Sequence, residues 1–77
     1  MKQVKKKCIT TNGEYREFVL YECLGKWGTH GISTIHFTEM PEAGKKAIAY
    51  KDEDFTNPHR VIIDRVNSEG KVFVSLD

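Results

Sequence analysis

The sequence predicts an all-β fold, a small antiparallel barrel or curled meander of five to six strands. Three observations carry this expectation. Apolar residues occur in short runs without a sustained helical period, those runs are rich in β-branched and aromatic residues, and turn signals separate them. At 77 residues the chain forms one domain, residues 1–77, SH3-like in size and strand number only. So many strands in so short a chain are expected to curl, because an open flat sheet exposes edges that aggregate.

The first strand is expected from Gln3 to Thr10, closed by Asn12-Gly13, a dipeptide suited to a type I′ turn because both residues tolerate φ > 0. The second, Glu14 to Leu24, carries Tyr15, Phe18, Val19, Tyr21 and Cys23. A helix is the competing reading, with Thr11 and Glu14 as a capping box and Gly25 as a C-cap. Its apolar residues would scatter around the helix axis, which favours the strand.

After the glycine-rich segment, Ile32 to Thr38 alternates Ile35 and Phe37 against Thr34, His36 and Thr38, as a half-buried strand does. Pro41 to Gly44 breaks the run and leaves room for one short helical turn. Lys46 to Lys51 places Ile48 and Tyr50 on one face, and Asp52 to His59 reads as a polar loop punctuated by Asn57-Pro58. Arg60 to Val66 and Lys71 to Leu76 then flank the four-residue connection Asn67-Ser68-Glu69-Gly70. Val19, Ile35, Phe37, Ile48, Val61, Ile63, Val72, Val74 and Leu76 are expected to form a single core.

A domain this small is marginally stable, so a staple or a partner chain, a second copy included, would help it considerably. The formal net charge is only +1, without the overall basicity of a dedicated nucleic-acid coat. It is unevenly spread. Residues 1–26 carry six Lys/Arg against three Glu, a balance of +3, which leaves −2 for the remainder. Two cysteines and no apolar run behind the N-terminal lysines favour a reducing cytoplasm over a secreted disulfide scaffold. No window is long and apolar enough to span a membrane by a helix.

No motif supplies a reaction. Cys8, Cys23, His30, His36 and His59 lack the knuckle spacing of a zinc site, so neither metal nor cofactor is expected. Cys23 with His30 or His36 is the only nucleophile–base pair to consider, and a small filled barrel leaves little room for a substrate pocket, so no enzymatic activity is expected. Asp52-Glu53-Asp54 lacks the alternating ligands of a calcium loop.

Binding is the function that remains. The segment Gly25-Lys26-Trp27-Gly28-Thr29-His30-Gly31 places the only tryptophan among three glycines, and Trp27 and His30 are expected at the tip of a glycine-hinged loop with Trp27 partly exposed. Trp27 folded back as a core plug is the competing reading, which would shift the binding surface to the lysine-rich first strand. The candidate binding residues are Trp27, His30 and Lys26 with Lys5, Lys7 and Arg16. Another protein is the expected partner. The alternative is nucleic acid, with the lysines on phosphates and Trp27, Tyr15 or Tyr21 stacked on bases.

Overall fold

The computed structural model describes residues 1–77, and every regular element in it is a strand. These are β1 (Lys2–Ile9), β2 (Tyr15–Trp27), β3 (Ile32–Phe37), β4 (Lys46–Lys51), β5 (His59–Val66) and β6 (Val72–Leu76). Consecutive strands pair antiparallel throughout, and the sheet is closed by a further pairing of β2 with β6. The closed ring therefore runs through β2, β3, β4, β5 and β6, while β1 lies outside it on the first half of β2. A meander reverses direction at each step, so the first and last strands of an odd ring run the same way. The closing pair is accordingly parallel, with Gly25 opposite Val72, Lys26 opposite Phe73 and Trp27 opposite Val74.

Closure depends on Gly25. A Cβ there would collide with the Val72 carbonyl oxygen and lie 2.8 Å from Ile35 Cδ1. The glycine-rich segment is thus only partly a loop. β2 continues as a strand through Gly25 and Lys26 to Trp27, and the chain turns at Gly28, whose φ is +60°. A second irregularity, a bulge between Ile63 and Arg65, bends β5 where it meets β6.

The hydrophobic interior divides in two. Inside the ring, Cys23, Trp27, Ile35, Phe37, Ala49, Val61, Ile63, Val72 and Val74 pack together. A smaller cluster of Cys8, Leu20 and Tyr50, flanked by Val4, Phe18, Ile48 and Phe55, lies on the opposite face of the sheet. Strand alternation explains the division: Phe18 and Leu20 have one parity along β2, and Cys23, Gly25 and Trp27 the other. Six of the expected core residues are buried in the ring, and Ile48 packs on the second cluster. Val19 and Leu76 are corrections, 49% and 69% exposed. Val19 has the interior parity but sits where β2 has left the ring to pair with β1, and Leu76 is the last residue of its strand.

Two turns also differ from expectation. Of Asn12-Gly13 only Gly13 has positive φ, +81°. Its N–H donates to the Thr10 carbonyl at 2.9 Å, and the Thr10 hydroxyl accepts from the N–H groups of Asn12 and Glu14 at 3.2 Å each. The result is a longer loop than a two-residue I′ turn. Near Pro41 no helical turn forms; Gly44, with φ +83°, instead donates its N–H to the Ile63 carbonyl at 2.7 Å. Asn67–Gly70 is the expected connection, tied by the Asn67 side chain, whose Oδ1 accepts from the N–H groups of Glu69 and Lys71.

Gly25→Ala should destabilise the domain by about 3 kcal/mol, because its methyl meets backbone on one side and a core side chain on the other. Gly31→Ala, with nothing near its added Cβ, should change stability by less than about 0.5 kcal/mol. Denaturant unfolding followed by Trp27 fluorescence checks both, and equal effects would contradict closure at Gly25.

Candidate functional site

Trp27 ends β2, and its ring closes one end of the interior. It is 5% exposed, which corrects the expectation of a partly exposed loop tryptophan and establishes the core plug. His59 meets the indole edge-on at a centroid separation of 5.1 Å, and the Lys51 ammonium lies over its face, 4.9 Å from the centroid. Beyond it the Gly28 N–H donates to the Val74 carbonyl at 2.8 Å and the His30 N–H to the Trp27 carbonyl at 3.1 Å, so the turn is pinned rather than hinged. His30 is exposed at its tip. Two shallow depressions of about 330 and 430 Å³ flank the indole, sharing Trp27, His30 and Lys51 as lining. With Lys51 on its face, the ring offers no free stacking platform.

The other candidates lie elsewhere. Lys26 has the opposite parity from Trp27 and sits between Ile32 of β3 and Phe73 of β6 on the outer surface. Phe73 is covered by the Arg65 guanidinium, 4.0 Å from its centroid. Lys5 pairs in register with Val19, eight residues before Trp27 along β2, a separation of roughly 26 Å at about 3.3 Å per residue. Lys5 and Lys7 share one face of the β1–β2 hairpin, whereas Arg16, opposite Cys8, belongs to the other and pairs with Glu14 at 3.1 Å. The structure thus brings Trp27 together with His30 and Lys5 together with Lys7. It does not unite the six residues.

Cys23 lies inside the ring, its thiol donating to the Ile35 carbonyl at 3.7 Å. Burial pushes its pKa up to about 11. His36, next to Ile35 on β3, has the opposite parity, and no Cys–His hydrogen bond forms. No three His, Cys, Asp or Glu side chains are grouped as metal ligands would be.

Two features were not anticipated. His36, on the face of β3 opposite Ile35 and Phe37, is 1% exposed, with Nε2 3.0 Å from Glu22 Oε2, its register partner. Phe55 covers it edge-on at 4.8 Å, and its Nδ1 has no partner. A signal lay in β2, where Phe18 and Leu20 share the parity of Glu22, the register partner of His36, and so need cover on that same face.

The second feature is a backbone edge. Ile9 donates its N–H to the Phe55 carbonyl at 2.8 Å, and its carbonyl accepts from the Tyr50 hydroxyl at 2.7 Å, so both Ile9 groups point away from β2. Antiparallel alternation then directs the N–H and C=O groups of Lys7, Lys5 and Gln3 the same way. These three residues are exposed, and no strand pairs on that side. Four lysines, Lys2, Lys5, Lys6 and Lys7, line this edge; only Lys5 has an ion pair, with Glu17 at 4.0 Å. Comparison with protein-family models, curated proteins and solved structures finds no match.

Trp27→Ala should cost about 3–5 kcal/mol and leave most of the protein unfolded, with the wild-type indole emission blue-shifted and poorly quenched by iodide. Alkaline pH provides a further check. Because the folded pKa of Cys23 lies above its value of 9.0 in the unfolded chain, the stability this thiol contributes is complete below pH 9 and is lost as pH rises toward 11. Chemical denaturation across this window should show a decline that Cys23→Ala reduces; an unchanged decline would place its source elsewhere.

Proposed function

We propose that the protein is a non-enzymatic, cytoplasmic binding module that takes up an extended segment of a partner protein along the open edge of β1. The observation that carries this reading is the row of unpaired backbone groups on Gln3, Lys5 and Lys7, held rigid by the bonds that anchor Ile9 to Phe55 and Tyr50. Strand addition needs such an edge, and main-chain hydrogen bonds supply its affinity. Tyr15, 66% exposed, and Val19 lie on the same hairpin face as Lys5 and Lys7 and add apolar area beside it. Nucleic acid is the weaker alternative, since its best stacking candidate, Trp27, is buried under Lys51.

Proline substitutions separate the edge from the ladder. The Lys5 N–H faces solvent, so Lys5→Pro removes a donor needed by an added strand but no bond to β2. The Lys6 N–H faces β2, so Lys6→Pro should disrupt the hairpin. Capture from an extract of the source cells, with and without nuclease, should be nuclease-resistant for wild type and lost for a folded Lys5→Pro. Undiminished capture by Lys5→Pro, or capture abolished by nuclease, would sink the proposal.

A further inference from the structure

We infer that the β1 edge is selective for an acidic extended segment about five residues long, an inference that rests on the strand-addition reading above. The length follows from where the edge stops. At Ile9 both backbone groups are already satisfied by Phe55 and Tyr50, so an incoming strand runs no further than Lys7 in that direction. In the other direction the outward-facing residues end at Gln3. An added strand would thus bond to Gln3, Lys5 and Lys7 and lie alongside residues 3 to 7.

The chemistry follows from what flanks those bonds. Residues of the incoming strand opposite Lys5 and Lys7 fall on the open hairpin face, and the residue opposite Lys6 falls on the other, where the Lys6 ammonium lies 5.7 Å from the centre of the Phe55 ring. Three successive positions of the guest therefore each meet a lysine. Opposite charges directly across a strand pair are favourable and like charges unfavourable. Lys6 and Lys7 have no carboxylate within ion-pair distance, and the Lys5–Glu17 contact is long and exposed on both sides. Carboxylates on the guest would meet a demand the domain itself leaves largely unfilled.

The same charges disfavour a second copy of this chain. An antiparallel β1–β1 pairing over residues 3 to 7 sets Lys5 of one copy directly against Lys5 of the other, with the Lys7 side chains diagonal to them on the same face. Lysine on the edge thus blocks self-pairing, a common protection of exposed strands, while leaving an acidic strand acceptable. Edge protection and partner choice are then served by the same residues.

The test uses capped seven-residue peptides with three central glutamates flanked by valine and threonine, their glutamine and lysine counterparts, and the glutamate peptide N-methylated at alternate residues. A short oligothymidylate serves as a polyanion without strand character. Affinity is measured at low and physiological salt, and backbone amide exchange is followed at Lys5 and Lys7. The glutamate peptide should bind about tenfold more tightly than the glutamine peptide at low salt, weaken as salt rises, and slow exchange at both amides. The lysine and N-methylated peptides should fail to bind. If the glutamine peptide binds equally well with the same protection, strand addition stands and acidic selectivity is overturned. If the glutamate peptide binds without protecting Lys5 and Lys7, as the oligothymidylate would on charge alone, or no peptide binds, strand addition itself fails.

Discussion

The close approach of β6 to Gly25 is the constraint on which the rest of the molecule depends. Five strands of a meander can close only by a parallel pairing, and this one brings the Val72 carbonyl to where any side chain at position 25 would stand. That single missing Cβ lets β2 and β6 pair over Gly25 to Trp27, which in turn carries Trp27 into the interior instead of onto a loop. A small barrel gains from such a closure twice. It removes two sheet edges, and it lets one large aromatic ring fill an end of a core too small to stand open.

Closure also accounts for the outlying hairpin. Only the second half of β2 is needed for the ring, so its first half projects with β1 and must find its own cover. It does so through Leu20, Cys8 and Tyr50, with Phe55 from the β4–β5 loop packed over His36. The Phe55 carbonyl meets the Ile9 N–H, fastening one end of β1 and leaving the rest of its outer edge unpaired. An edge held at one end and open along its length is suited to pairing, and its lysines restrict what it pairs with. The partly buried His36–Glu22 contact beside Phe55 belongs to the same outer layer and joins β2 to β3.

Much of this fold was legible in the residues. All six strands, the strand character of residues 15–24 and the connection at Asn67–Gly70 follow from local pattern, because alternation and turn chemistry are local properties. Gly25 was misread for a physical reason: a glycine that turns a chain and one that admits a neighbouring strand look alike until the neighbour, 47 residues away at Val72, is known. Trp27 depends on the same distant neighbour, since only closure by β6 makes the tryptophan a core plug instead of a loop residue. Val19 was placed in the core because parity along β2 does not reveal where the ring ends. The open edge was the least legible feature, since it consists of main-chain groups and sequence reading weighs side chains.

Native-state amide exchange tests closure and open edge in one experiment. The account predicts slow exchange for Gly28, bonded to Val74 across the closing pair, and for Ile9, bonded to Phe55. Along β1 it predicts alternation, with Val4, Lys6 and Cys8 protected and Lys5 and Lys7 exchanging close to the rate of an unstructured chain. Rapid exchange at Gly28 together with protection of Lys5 and Lys7 would contradict it, for the ring would then be open and the edge already occupied.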